Sequence, residues 1–157
     1  MADVHHIDPH TGAPLPSVID LRFDFMEIRA LLRLIRAALA DRDAEHGEMP
    51  EIEPVQLALL MIERDKVQRI NASIKCGSPL DNELAMTWYK FRAVLGLTGD
   101  AAWRVLNEGL DYVSTEDECA DMEGGCAVAI DLAEQILQGL DAEKVGCNHV
   151  EEEVDHA

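Results

Sequence analysis

Apolar residues recur along this chain at helical spacing from Ile19 to Leu140, and no stretch of useful length alternates in the manner of a half-buried strand. The pattern predicts an all-α, single-domain bundle of about five helices, over 18–42, 54–75, 79–95, 99–112 and 115–140, with flexible N- and C-terminal tails. Residues 1–16 contain Pro9, Gly12, Pro14 and Pro16 and no apolar period, so they read as an extended arm before a helical domain over 17–140. Residues 141–157, with Glu151-Glu152-Glu153 and Asp155, read as an acidic, solvated tail.

The first helix opens with Ser17 and, three residues on, Asp20, a capping box with Asp in place of Glu. Leu21, Phe25, Ile28, Leu32, Ile35 and Leu39 then fall within about 80° of one another and form a core stripe. One flank of that stripe carries Arg22, Arg29, Arg33 and Arg36; the other carries Asp20, Asp24 and Glu27. Leu31 and Leu34 lie off the stripe and widen the apolar arc beyond what one neighbour covers. The arginine flank with these two leucines is therefore expected to take part in self-association, giving a homodimer.

Pro54 suits the first turn of the second helix, and Gly77 and Ser78-Pro79 separate it from the third. That third helix carries Leu80, Leu84, Trp88, Phe91 and Leu95 on one face and is expected to stop at Gly96. Thr98 would cap a fourth, burying Ala102, Val105, Leu106 and Leu110, and Ser114 a fifth. In the fifth, Cys119, Met122, Cys126, Ile130, Ala133, Leu137 and Leu140 share a face. Gly124-Gly125 interrupts it at a cost of roughly 1 kcal/mol per glycine relative to alanine, which marks a break or a close helix crossing; nearby Ala127 and Ala129 favour the crossing.

Charge narrows the functional classes. The 157 residues carry 13 Lys and Arg against 31 Asp and Glu, a formal net charge of −18. Residues 1–99 hold 15 acids and 11 bases, whereas 100–157 hold 16 acids and only 2 bases. Such a field repels phosphate backbones and anionic headgroups and steers basic partners, so direct binding to nucleic acid or membrane is not expected. The longest apolar run, Leu57 to Ile62, falls far short of the ~20 residues of a membrane span. The start of the chain lacks the basic and apolar regions of a secretory signal, so a cytoplasmic location is expected. The widely spaced Cys76, Cys119, Cys126 and Cys147 read as reduced thiols.

The passage from Phe91 to Ser114, with Leu95-Gly96-Leu97-Thr98, Ala101-Ala102 and Val113-Ser114, resembles the helix-turn-helix of phage repressors. The helix that would enter the major groove begins Thr115-Glu116-Asp117-Glu118 and has no Arg or Lys before Lys144, so two packed helices explain the passage better than DNA reading. For metals, His5, His6 and His10 in the arm and Cys147, His149 and His156 in the tail are the available donors, in no recognised ligand spacing. Cys119 and Cys126 share the apolar face and read as core thiols, and Cys76, at a helix C-terminus, has the wrong field for a catalytic thiolate. No cofactor is implied.

Two functional classes remain. In an all-α, magnesium-dependent nucleotide phosphohydrolase, Asp20, Asp24 and Glu27 would form one carboxylate set and Glu116, Asp117 and Asp121 another. Of the paired acidic motifs such enzymes carry, only the second half is matched, by Glu118 to Asp121. The preferred reading is a non-catalytic, acidic binding protein of inhibitor, immunity, anti-defence or nucleic-acid-mimic type that blocks or tethers a basic partner protein. Its contact face would be Asp111, Glu116, Asp117, Asp121, Glu123, Asp131 and Glu134.

Overall fold

The computed structural model describes residues 12, 17–41, 49–75 and 80–150, with the side chains of 75 and 143–150 left out. The described chain is helical throughout its elements: α1 (Val18–Ala40), α2 (Ile52–Met61), a π-helical turn (Ile62–Val67), α3 (Gln68–Lys75), α4 (Asn82–Asn107) and α5 (Tyr112–Val150). Because α2, the π turn and α3 follow one another without a break, the described residues form four helical rods, and no strand is present among them.

Four rods replace the expected five because α4 runs through the glycines that were expected to end it. Leu95, Thr98, Ala101 and Ala102 are buried against the core on either side of Gly96 and Gly99. Tertiary packing on that face outweighs a propensity cost of about 1 kcal/mol per glycine. Thr98 is accordingly no N-cap: its hydroxyl donates to the carbonyl of Val94 at 2.9 Å within the helix. The turn on which the helix-turn-helix resemblance rests is thus continuous helix. α4 ends instead at Gly109, whose φ of 60° supplies the left-handed residue that closes a helix.

The caps follow local chemistry. Ser17 and Asp20 form the expected reciprocal box, with the Asp20 amide donating to Ser17 Oγ at 3.2 Å and the Ser17 amide to Asp20 Oδ2 at 2.9 Å. Asp81 caps α4 by accepting from the Leu84 amide at 2.8 Å. Asp111, not Ser114, caps α5, accepting from the Ser114 amide at 2.7 Å. That moves the start of α5 forward to Tyr112, and its end lies at Val150, ten residues past the expected end.

Packing is set by the stripes. Every residue of the expected α1 stripe is buried, as are Leu84, Trp88, Phe91 and Leu95 of α4 and all seven expected core residues of α5. At the centre, Trp88 stacks on Phe91 with ring centroids 5.4 Å apart, and Phe25 meets both edge-on at 5.6 and 6.5 Å. Trp88 Nε1 donates to Asn71 Oδ1 at 2.9 Å, which satisfies the one polar atom of the cluster and ties α3 to α4. Leu106 departs from expectation and is 37% exposed.

α5 is antiparallel to both of its main neighbours. Against α4, the pairs Leu84–Gly139, Thr98–Gly125 and Arg104–Glu118 run in opposite directions, and against α1 so do Arg22–Asp141 and Arg33–Glu134. Gly125 is the close crossing, not a break: a Cβ there would lie 2.2 Å from Thr98 Oγ1. At Gly139 a Cβ would lie 2.4 Å from Leu84 Cδ2.

The π turn has a visible cause. Buried residues step by three or four along Ile52, Val55, Leu59 and Ile62, then by five to Val67, and by three to Ile70. The Gln68 amide bonds the carbonyl of Glu63, five residues back, which absorbs that extra residue and keeps the stripe on the core.

Candidate functional site

Two charged surfaces meet along α1, and both are largely consumed within the chain. On the acid flank, Asp24 is buried, with Lys66 Nζ 3.0 Å from its Oδ1 and Arg69 donating from Nε at 2.9 Å and from the terminal guanidinium nitrogen at 2.6 Å to its Oδ2. The π turn and the start of α3 supply both cations, and Lys66 also bonds Glu27. That contact holds the Glu27 carboxyl below its ordinary 4.5, while Glu27 first and Asp24 with it hold the Lys66 ammonium above its ordinary 10.5. A carboxylate set already neutralised by two cations offers poor purchase to magnesium. Among the described residues, no group of three or more His, Cys, Asp or Glu side chains is placed to hold a metal ion. The six His and Cys donors of the arm and tail lie outside the described side chains, as does Cys76.

On the other flank, the arginines face α5. Arg22 Nε lies 2.9 Å from Asp141, Arg29 3.6 Å from Glu134 and Arg33 2.7 Å from the same carboxylate. A cavity of ≈ 360 Å³ lies along this seam, lined by Met26, Leu137 and Gln138 together with all of those charges but Arg33. The arginine flank expected to join two copies is therefore turned to its own chain. Leu31 is half-buried against the core, and of the proposed self-association residues Arg33, Leu34 and Arg36 are exposed, Leu34 at 69%.

The acidic candidates on α5 divide in the same way. Asp111 is the helix cap, and the amide bonds it accepts at Ser114 hold its carboxyl below the usual range. Glu134 is the partner of Arg29 and Arg33, and Glu123 is half-buried with a contact of its own. Glu116, Asp117, Asp121 and Asp131 remain exposed, and none is ion-paired with a described residue. Glu118, the first residue of the acidic half-motif from Glu118 to Asp121, turns inward and accepts both arms of the Arg104 guanidinium at 2.7 and 2.8 Å, which lowers its pKa.

The core thiols carry no reactive setting. Cys119 and Cys126 are buried, with no disulfide between them, and burial pushes the Cys126 thiol up to about 11.

What sequence reasoning missed is the second apolar face of α1. Ile19, Phe23, Met26, Ala30, Leu34 and Ala37 fall within about 80° at 100° per residue, opposite the core stripe. All six are exposed, Phe23 at 60% and Ile19 at 53%. The signal was present as a second i, i+4, i+7, i+11 series beginning at Ile19.

No protein-family model, curated protein or solved structure matches this chain. Its class is therefore given by the fold alone, an all-α bundle in which no described helix is long and apolar enough to cross a membrane.

Proposed function

We propose that the protein acts by binding, as a non-catalytic acidic helical module that captures a basic protein surface through the outer face of α5. The observation that carries this reading is the exposure of Glu116, Asp117, Asp121 and Asp131 on one helix without a cationic partner among the described residues. Five other carboxylates, Asp24, Glu27, Glu118, Glu134 and Asp141, each meet Lys or Arg. Four uncompensated carboxylates on a rigid scaffold raise the local potential and steer a cationic partner, and contacts of that kind weaken steeply with salt. The contact face is thus narrower than the seven residues expected from sequence, since Asp111, Glu123 and Glu134 have duties inside the fold.

The test is charge reversal. Replacing Glu116, Asp117, Asp121 and Asp131 by Lys leaves the helical circular-dichroism signal unchanged, because none of the four is buried. It abolishes salt-sensitive binding to a lysine- and arginine-rich probe peptide and to basic proteins captured from cells. Binding by the quadruple variant with the same affinity and salt slope would overturn the reading and leave the acids as a solubilising surface.

A further inference from the structure

The outer stripe of α1 needs a cover. Helices at the corner of a bundle normally turn polar residues outward, whereas α1 carries apolar side chains on two opposite sides. Its exposed stripe runs for some 27 Å at 1.5 Å per residue and offers on the order of 500 Å² of apolar surface, the scale at which patches mark interaction sites.

We infer that this stripe is a homodimer interface in which α1 packs against α1 of a second copy, the two helices running parallel about a two-fold axis. The charges beside the stripe select both the occupant and its direction. Arg22 lies on one rim and Glu27 on the other, with side chains 43% and 60% exposed although each also has a partner within its own chain. In a parallel pair, the basic rim of one helix meets the acidic rim of the other. With Ile19, Phe23, Met26 and Ala30 along the seam, Arg22 and Glu27 occupy the g and following e positions, whose side chains pair between parallel helices. In an antiparallel pair, basic rim would meet basic rim and Glu27 would face its own copy. Further along the seam, Arg33 is drawn aside by its 2.7 Å bond to Glu134, and Ala30 and Ala37 let the backbones approach. Two such stripes bury roughly 1,000 Å², near the lower edge of specific interfaces, so association in the micromolar range is expected. This surface is separate from the acidic face of α5, and the two readings stand or fall apart.

Sedimentation of the full chain from about 1 to 200 µM tests it over that range. The expected mass approaches twice 17.4 kDa at the upper end. Phe23→Glu holds the mass at one chain with an unchanged helical signal, while Leu97→Glu, at an equally exposed position of α4, dimerises as the parent does. Arg22→Glu weakens the dimer several-fold, since it turns the facing rims of a parallel pair into like charges. A parent chain that stays monomeric throughout overturns the proposal, including the case in which the stripe binds lipid vesicles instead. A Phe23→Glu variant that still dimerises, or an Arg22→Glu variant that dimerises as tightly as the parent, overturns it equally.

Discussion

α5 is held by two seams built on different principles. Against α4 it is fixed by shape: Gly125 receives Thr98, Gly139 receives Leu84, and Arg104 closes one end on Glu118 with a two-armed bond. Against α1, beside the buried stripes, the seam is edged by charge, with three arginines on two carboxylates beside a cavity of ≈ 360 Å³. The first arrangement tolerates no added atom, because steric overlap rises steeply within tenths of an ångström. The second tolerates displacement, because partly solvated ion pairs change little in energy when a side chain moves. One helix thus has a face that sets its position and a face that adapts to it.

Acid should have the largest effect, since it acts on two helix caps and two ion pairs at once. Asp20, Glu27, Asp111 and Glu118 have folded pKa values held below their ordinary 3.8 or 4.5, so the unfolded chain takes up protons first as pH falls. The stability they contribute is fully present above about pH 5 and is lost progressively below pH 4.5. Thermal melts across this range check it: an unchanged midpoint down to pH 3 would show that these bonds contribute nothing.

Next comes Gly125→Ala. The added Cβ meets Thr98 Oγ1 at 2.2 Å and should cost about 1–3 kcal/mol by chemical denaturation. Adding Thr98→Ala removes the clashing oxygen and should recover most of that loss. Gly99→Ala, on the open side of α4 where a Cβ meets nothing, should raise stability by about 0.5–1 kcal/mol. Glu134→Ala on the charge-lined seam should cost only a few tenths of a kcal/mol. Equal losses for Gly125→Ala and Glu134→Ala would erase the distinction between the seams.

The parts of this fold legible in the sequence are those governed by period. The stripes of α1 and α5, the face of α4 from Leu84 to Leu95, the Ser17–Asp20 box and the crossing at Gly125 were all readable from spacing. Termini governed by competition were not. Gly96 and Thr98 resemble a stop and a start, yet the burial of Leu95, Ala101 and Ala102 carries the helix across them. Asp111 outcompetes Ser114 as a cap because its carboxylate reaches an amide three residues on, while Ser114 already lies inside the helix. The candidate site was half legible: exposure of Asp117, Asp121 and Asp131 follows from the core stripe of α5. The capture of Glu134 by Arg29 and Arg33 depends on which neighbour α1 chooses, which spacing within one helix does not contain.

The π turn leaves one segment a residue longer than its core stripe requires. Deleting a single residue between Ile62 and Val67 would return the rod to regular α-helix, at first sight an improvement in local hydrogen bonding. Val67 would then stand four residues after Ile62, an ordinary helical step, so Val67 and Ile70 would keep their places on the core and Arg69 its place beside Asp24. A second deletion, with no π turn left to absorb it, would rotate everything that follows by about 100°. A descendant of this chain that has lost one residue from the turn is therefore expected to keep the fold, with four steps from the last buried residue before it to the first one after it.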